Sequence, residues 1–351
     1  MKAWAVVRNN EPLECIEVKT PEPTGTQVVL AVEACGVCHS DLHFWKGSYN
    51  LGGGKTMTLT DRGVTLPRAP GHEVVGRVIA AGPNASGVTV GESYIVYPWI
   101  GCGHCDDCLN EDDNLCTAQK SIGVIQHGGF AGEVVAPHPR YLVPVGDLDP
   151  ALASTFACSG ITVYSAIQKV MPIAPDKPIV LIGAGGLGLA AIAMLRAFGH
   201  RAIVSVDLDP AKRQAALDMG ATAAVDGGGE GVAQAIIEAA GGPVRAVIDF
   251  VNATSTAAAG FGALAKGGRL VNVGVAGGEL SLSLAGMVFR AASVVGSNTG
   301  SVKDLRAVVE LARSGKLPAM PVTRFPKDEA NDVLQKLKHG EITGRAVLVE
   351  A

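Results

Sequence analysis

Hydrophobic positions follow one pattern in the first part of the chain and another in the second. Up to about residue 150, apolar residues come in short runs broken by glycine and proline, as at 27–34 and 74–80. These runs predict β-strands joined by turns. From Pro178 onward, short apolar runs such as 179–182 alternate with stretches of helical spacing such as 189–198. Strands that alternate with helices predict a parallel, doubly wound sheet, so the expected fold class is α/β.

Composition fits globular domains and argues against some classes of partner. The chain has 351 residues, of which 48% are hydrophobic and 18% charged, and its net charge is −4. This is enough for two domains with a sizeable core, and it gives no reason to expect nucleic acid or a membrane surface as a partner. The N-terminus begins as a strand without a signal-peptide pattern, and no apolar run is long enough to span a bilayer. We therefore expect a cytoplasmic protein.

Four cysteines form the most specific motif. Cys102, Cys105 and Cys108 stand three residues apart, and Cys116 follows among acidic residues that cannot build a core. Disulfides are the alternative, but in an intracellular chain this spacing is typical of a metal site. Four thiolates close a tetrahedral shell around Zn²⁺ and leave no position for a substrate. We therefore predict a structural zinc lobe at 101–116 and chemistry elsewhere.

Metal-binding side chains also lie beside two predicted strands. Residues 35–43 read Cys-Gly-Val-Cys-His-Ser-Asp-Leu-His, in which Cys35 and Cys38 can form a redox pair. Alternatively, Cys38 and the His and Asp residues after it supply a metal site. His72 alone is typical of a structural residue, but the adjacent Glu73 favours metal binding, since carboxylates ligate zinc or orient its ligands.

The stretch 47–70 is long and irregular, with three glycines at 52–54. Its length, and the aromatic residues Phe44, Trp45 and Tyr49 beside it, favour a substrate-facing loop. A solvated surface excursion is the alternative.

A glycine-rich motif, Gly183-Ala184-Gly185-Gly186-Leu187-Gly188, opens the second part of the chain. It follows a strand and begins a helix, as a dinucleotide-binding turn does, although an unrelated α/β domain can also contain a glycine turn. Gly183 permits the tight turn, Gly185 lets a pyrophosphate approach the backbone, and Gly188 lets helix and strand pack closely.

Asp207 ends the next strand, 19 residues after the last glycine of this motif. A carboxylate at this point accepts from the ribose hydroxyls and repels a 2′-phosphate, so we expect NAD rather than NADP. The nearby Arg213 can soften that preference.

With these motifs in place, the whole chain resembles the zinc-dependent alcohol dehydrogenases of the medium-chain dehydrogenase/reductase family. The motifs that carry the resemblance are Cys38-His39-Ser40-Asp41-Leu42-His43, Gly71-His72-Glu73, the four cysteines of the lobe, Cys158-Ser159-Gly160-Ile161-Thr162-Val163-Tyr164, Gly183 to Gly188, and Gly344-Arg345. The family implies a mainly β GroES-like catalytic domain and a Rossmann domain with a doubly wound parallel sheet. We expect the catalytic domain at 1–152 and 287–351, with the NAD-binding domain inserted at 153–286.

The resemblance also implies a second, catalytic zinc. Its three ligands would be Cys38, His72 and Cys158, which leave the fourth position for water or the substrate oxygen. Asp41 and Glu73 would support the ligands or exchange with them.

For the proton and the cofactor, the resemblance implies further roles. Ser40 and His43 resemble the family's proton relay. The expected contacts to NAD come from Thr162 at the nicotinamide, from Arg345 and His39 at the pyrophosphate, and from Val275. Trp45 and Trp99 indicate an apolar substrate pocket.

The implied reaction is reversible hydride transfer between a primary or secondary alcohol and NAD, giving an aldehyde or ketone. A polyol, sugar or amino-alcohol dehydrogenase and a nicotinamide dismutase are alternatives on the same scaffold, and the polarity of the pocket distinguishes them. A non-catalytic NAD- or zinc-binding sensor is the alternative from another class. The expected partners are a small molecule and further copies of the chain, as a dimer or tetramer.

The chain departs from the family pattern in two places. Relatives often carry an Arg a few residues after a Gly-Ser pair, where this chain has Val302, so the phosphate or adenine contact of that Arg is missing. The 47–70 stretch is also longer than in many relatives, so their substrate preferences do not transfer.

Overall fold

The computed structural model describes residues 1–20 and 22–350, which form two large sheets of different kinds. A seven-stranded, largely antiparallel sheet is built from both ends of the chain, and a six-stranded parallel sheet is built from its middle.

Strands dominate the first part of the chain. They are β1 (Lys2–Ala5), β2 (Glu14–Glu17), β3 (Val28–Gly36), β4 (Ser48–Gly52), β5 (Lys55–Thr58), β6 (Glu73–Ala81), β7 (Ser93–Val96), β8 (Trp99–Ile100), β9 (Lys120–Ser121), β10 (Glu133–Ala136) and β11 (Leu142–Pro144). The helices among and after them are α1 (His39–Lys46), α2 (Asp106–Leu109), α3 (Pro150–Thr155) and α4 (Ile161–Val170), with a π-helical turn (Phe156–Gly160) between α3 and α4. Short 3₁₀ turns lie at Thr60–Arg62, Asp113–Leu115 and Pro139–Tyr141.

Strands and helices then alternate. They are β12 (Ile179–Ile182), α5 (Gly186–Ala197), β13 (Ile203–Asp207), α6 (Pro210–Met219), β14 (Ala223–Asp226), α7 (Val232–Ala239), β15 (Val244–Asp249), α8 (Thr254–Gly262), β16 (Leu264–Asn272), α9 (Leu284–Arg290) and β17 (Ser293–Gly296). The chain ends with α10 (Val302–Arg313), β18 (Val322–Pro326), a 3₁₀ turn (Lys327–Glu329), α11 (Ala330–Lys338) and β19 (Arg345–Val349).

The six-stranded sheet has the order β14-β13-β12-β15-β16-β17, and all its pairs are parallel. This order confirms the predicted doubly wound fold. The direction of winding reverses between β12 and β15, and ligands of such sheets bind at the carboxyl ends of the strands at that point. β17 pairs with β16 in parallel, so the six-stranded sheet extends to Gly296. The domain boundary at 286/287 stays a prediction.

The seven-stranded sheet has the order β11-β7-β6-β3-β19-β18, and β10 also pairs with β3. The last strand of the chain, β19, lies antiparallel to β3, which pairs on its other side with β6. Gly36, at the end of β3, therefore lies opposite Glu73, at the start of β6. Two candidate motifs that are distant in sequence thus meet at one end of this sheet.

The helical segment Pro150–Val170 connects the two sheets. α3 packs on β3 and β6, while α4 packs on α5, β15 and β16. By length and composition the segment could cross a membrane, contrary to the expectation that no such run exists, but 83% of its apolar window is buried inside the protein. That burial is typical of the core helix of a soluble protein.

Candidate metal and dinucleotide sites

The four cysteines of the lobe at 101–116 come together as predicted. Their sulfur atoms all lie within 4.8 Å of one another. Cys105 and Cys108 are 3.4 Å apart, and the backbone N–H of Cys102 donates to Sγ of Cys116 at 3.3 Å. All four are free thiols, so the donor set fits a closed tetrahedral zinc shell.

The lobe is attached to α10 by charged side chains. Arg306 forms two hydrogen bonds with the carboxylate of Glu111, at 3.0 and 2.9 Å, and Lys303 lies 2.9 Å from Asp112. These ion pairs join the lobe to a helix outside it.

A second cluster contains Cys38, His72, Glu73 and Cys158, whose ligand atoms also lie within 4.8 Å of one another. Three different elements bring them together, since Cys38 precedes α1, Glu73 begins β6 directly after His72, and Cys158 lies in the π-helical turn. Such turns interrupt α-helices most often at functional sites.

The chemistry of this second cluster fits zinc. Two thiols, an imidazole and a carboxylate are the ligands that Zn²⁺ prefers. Nε2 of His72 and Oε1 of Glu73 are buried and have no hydrogen-bond partner among the described residues, as expected of atoms placed to bind a metal. A hydrogen bond from Cys158 holds the pKa of Cys38 well below its ordinary value, which favours the thiolate that binds zinc.

Cys35 takes no part in this cluster. It is a buried free thiol, and burial raises its pKa well above the ordinary value. The neutral thiol packs near Gly71 and Gly129, where an added Cβ would come within 2.7 and 2.5 Å of its sulfur. The alternative of a redox pair with Cys38 therefore receives no support.

The carboxylate of Asp41 contacts two of the proposed zinc ligands and the backbone beside them. Its Oδ2 accepts from the backbone N–H of Cys38 at 2.8 Å, and its Oδ1 accepts from the N–H of Gly71 at 3.1 Å. The same Oδ1 lies 3.4 Å from Nδ1 of His72. The carboxylate is almost fully buried, so water does not compete for these contacts.

Glu73 forms a buried ion pair with Arg345, which donates to its Oε2. Burial raises the pKa of Glu73, and the Arg345 guanidinium opposes that rise. Gly36 faces the pair, because a Cβ on it would lie 2.0 Å from Oε2 of Glu73. Only glycine fits beside this carboxylate.

Helix α1 carries the candidate relay on one side and core residues on the other. His43 comes three residues after Ser40 and four after His39, so its side chain lies on the same side of the helix as each of them. His43 stacks on Tyr49, with ring centroids 4.7 Å apart. Burial, followed by the positive charge of Lys46, lowers the pKa of His43, so the neutral imidazole is favoured.

The glycine turn has the geometry that the sequence predicts. Gly183 has φ of +96°, and a Cβ on Gly188 would lie 1.9 Å from the carbonyl oxygen of Gly183. A Cβ on Gly185 would meet no atom within 4 Å, so space is left beside the backbone there. Leu187 packs against the core, and Thr162 is buried on α4.

Arg345 links the metal cluster to this turn. Its Nη1 lies 3.3 Å from the position that a Cβ on Gly186 would take. Its Nε is buried and has no hydrogen-bond partner among the described residues, which fits an anionic group bound at the helix N-terminus. Burial lowers the pKa of His39, and the positive charges of Arg345 and Lys212 lower it further, so both of these side chains lie near His39.

Asp207 lies at the end of β13, next to the glycine turn. Its Oδ2 accepts from the N–H of Ala184 at 2.7 Å. Arg213 donates to the carbonyl of Asp207 at 2.9 Å and pairs with Asp226 at 3.3 Å. Arg213 thus lies beside Asp207, with its charge partly compensated by Asp226.

The two candidate tryptophans lie in different surroundings. Trp99 borders the metal cluster, with its ring centroid 5.5 Å from that of His72. Trp45 donates its indole N–H to the carbonyl of Glu11 at 2.6 Å, and Lys338 of α11 lies over its ring. Both of these contacts of Trp45 are with residues outside the metal cluster.

Val275 and Val302 differ in burial. Val275 follows β16 and is 51% exposed, so it is accessible to a ligand. Val302 begins α10 and is 1% exposed in the hydrophobic core.

The stretch 47–70 contains a hairpin that the sequence analysis did not predict. β4 and β5 pair across glycines 52–54, and Asn50 packs beside Gly277 of the loop after β16. Gly52 likewise lies against Glu279. The hairpin therefore reaches from the first part of the chain to the parallel sheet, and the glycines between two β-forming runs were the signal for it.

Comparisons with known proteins identify the family. Residues 24–147 match the alcohol dehydrogenase GroES-like domain, and residues 186–314 match the zinc-binding dehydrogenase family. The chain is 33% identical to the NAD-dependent alcohol dehydrogenase of Sulfurisphaera tokodaii, over 99% of this chain and 100% of that one. It is 30% identical to the D-arabinose 1-dehydrogenase (NADP(+)) of Saccharolobus solfataricus, over 99% and 97%. The crystal structure of the alcohol dehydrogenase from Aeropyrum pernix superposes with a TM-score of 0.90 at 30% identity, over 99% and 100%.

The chain therefore belongs to the zinc-dependent alcohol dehydrogenases of the medium-chain dehydrogenase/reductase family. It is an enzyme, an oxidoreductase that uses zinc and NAD to interconvert alcohols and carbonyl compounds.

Proposed function

We propose that Cys38, His72 and Cys158 hold the catalytic zinc and that the reaction takes place between this cluster and the glycine turn. The observation that carries the proposal is the convergence of four ligand atoms within 4.8 Å, linked to that turn by Arg345. The substrate is a primary or secondary alcohol, and the product is an aldehyde or ketone.

When bound, zinc supplies Lewis-acid polarisation of the substrate oxygen, and NAD⁺ supplies the hydride acceptor. The protein holds the zinc and the NAD⁺ in position relative to each other. Asp41 orients His72 and the backbone at Cys38, while Glu73 remains paired with Arg345 or exchanges as a ligand. Because these groups are buried, their positions are fixed before the substrate arrives.

We assign the proton path to α1. The hydroxyl of Ser40 both accepts and donates, so it can take the proton of the alcohol and pass it outward. His43 is one helical turn further along and is favoured in its neutral form, so its imidazole can receive the proton and release it to solvent.

We assign cofactor binding to the glycine turn and to the side chains around it. The backbone from Gly183 to Gly188 and the guanidinium of Arg345 would hold the pyrophosphate, with His39 nearby. Asp207 would accept from the adenosine ribose. Thr162 and Val275 complete the expected contacts, and Trp99, rather than Trp45, borders the substrate.

We also propose a homo-oligomer. Helix α9 presents Leu284, Val288 and Phe289 with 80, 75 and 78% of their surface exposed, and β17 beside it is an edge strand of the parallel sheet. An apolar helix next to an open edge favours a symmetric interface between copies of the chain. Light scattering should give a dimer or tetramer that Phe289→Glu weakens, and a monomeric wild-type protein would contradict the proposal.

We place the enzyme in the cytoplasm, because eight free thiols and a four-cysteine zinc site need a reducing compartment.

The assigned chemistry is tested by following NADH formation from a panel of alcohols with wild-type protein and Cys38→Ser. Turnover that is present in the first and absent in the second supports the assignment, whereas equal turnover contradicts it.

A further inference from the structure

The indole N–H of Trp99 is buried and has no hydrogen-bond partner among the described residues. Trp99 belongs to the short strand β8, which pairs with β9. Its ring lies 5.5 Å from the imidazole of His72, at an interplanar angle of 48°. A buried, unpaired donor therefore belongs to a residue that borders the proposed catalytic cluster.

An unpaired buried donor calls for an explanation, because nearly all buried polar groups in folded proteins have a partner. The chain provides a direct comparison in Trp45, whose indole N–H donates to the carbonyl of Glu11 at 2.6 Å. The fold thus pairs the N–H of the tryptophan that packs in the core. The N–H of the tryptophan beside the metal cluster has no such partner among the described residues.

A second polar group lies close to the same cluster. Tyr49 stacks on the proposed relay residue His43 at 4.7 Å. Burial raises the pKa of Tyr49 to about 12, so its hydroxyl stays protonated at neutral pH and can donate. Tyr49 therefore brings a hydrogen-bond donor next to the proposed relay residue.

On the basis of the proposed function, we propose that Trp99 determines specificity and that the alcohol substrate carries a second oxygen, as a short diol or polyol does. That oxygen accepts a hydrogen bond from the indole N–H. A plain alcohol of the same length leaves the N–H unpaired, and a site built around such a donor discriminates against it.

The test compares matched substrate pairs, 2,3-butanediol with 2-butanol and 1,2-propanediol with 1-propanol. Wild-type enzyme should show the higher kcat/KM for the diol of each pair. Trp99→Phe keeps an aromatic ring and removes the N–H, so the diol-to-alcohol ratio should fall about tenfold, the effect of roughly one hydrogen bond. Trp4→Phe, in β1, should leave the ratio unchanged.

An unchanged ratio in Trp99→Phe, or an equal loss on both members of a pair, would overturn the proposal. If this variant does not fold, benzothienylalanine at position 99 keeps the shape of tryptophan with sulfur in place of N–H, and the same fall is expected. Equilibrium binding of hydroxyacetone and acetone to the enzyme–NAD⁺ complex gives a readout without turnover. Wild-type protein inactive on all four alcohols would contradict the proposed function, and the binding comparison would still decide the role of Trp99.

Discussion

The carboxylate of Asp41 lies 3.4 Å from Nδ1 of His72 and at the same time accepts from the backbone N–H of Cys38 at 2.8 Å. One buried side chain therefore positions two proposed zinc ligands that come from different elements. Nε2 of His72 is left without a partner among the described residues, so it remains available to the metal.

Asp41→Asn should weaken zinc binding at this site. The amide keeps the shape of the side chain, but it loses the charge and one acceptor, so the imidazole of His72 is less well held. We expect the zinc affinity to fall about tenfold to a hundredfold, with little loss of fold. Competition with a chromogenic chelator measures the affinity. Asp61→Asn removes a carboxylate that accepts from the N–H of Thr58 far from the cluster, and it should change nothing. Equal affinity in Asp41→Asn and wild type would refute the role of Asp41.

Disruption of the four-cysteine zinc site should mainly lower stability, whereas disruption of the proposed catalytic zinc site should mainly lower turnover. Cys105→Ser opens the closed lobe that Glu111 and Asp112 tie to α10, so we expect it to lower the free energy of unfolding by roughly several kcal/mol. Cys38→Ser should abolish turnover with a smaller loss of stability. Metal analysis and thermal unfolding check both. A single zinc per chain in fully active wild-type protein would contradict this account.

Asp207 should set the choice of cofactor. Asp207→Gly removes the ribose acceptor and the charge that repels a 2′-phosphate, so kcat/KM for NAD should fall about tenfold or more and discrimination against NADP should relax. Asp226→Asn, on the neighbouring strand, serves as the control, although it also frees Arg213. Wild-type enzyme that already favours NADP would show that Asp207 has been misinterpreted.

The pH dependence of alcohol oxidation should report His43. Burial and the positive charge of Lys46 lower its pKa below the ordinary value of about 6.5, and these effects outweigh the opposing charge of Cys38. The neutral imidazole accepts the proton, so the rate should be constant above the lowered pKa and should fall as the pH drops through it.

His43→Gln removes this acceptor. Oxidation should be slowed most at mildly acidic to neutral pH, and added imidazole should restore part of the rate. Ser40→Ala should be more severe and should not be rescued, because it breaks the path inside the site. A pH–rate profile that His43→Gln leaves unaltered would move the relay to another group, with His39 as the next candidate.

The fold and the four-cysteine site could be predicted from the sequence because their signals are local. The glycine turn lies within six residues, and Gly183 and Gly188 show the backbone geometry that was inferred. The four-cysteine motif is similarly compact. The family resemblance then supplied the grouping of Cys38, His72 and Cys158, which come from three separate elements.

Features that depend on tertiary packing were not predictable in this way. Trp45 and Trp99 are equivalent as sequence signals, yet only Trp99 meets the metal cluster, because α1 turns Trp45 toward Glu11 and α11. The strand β17 was not predicted, since a four-residue edge strand after a helix gives little periodicity. The hairpin of β4 and β5 has no strong alternation of its own, and it packs on the distant loop at 277–279.

The most direct test of the central claim is NADH formation from alcohol by purified enzyme whose zinc at the Cys38–His72–Cys158 cluster has been removed and then restored. Chelator treatment should remove one zinc per chain and stop turnover, while the four-cysteine zinc stays bound and the protein stays folded. Added Zn²⁺ should restore the rate in wild type and not in Cys38→Ser. Full turnover after the first zinc has left, or restoration of activity in Cys38→Ser, would contradict the assignment of this cluster as the catalytic zinc site.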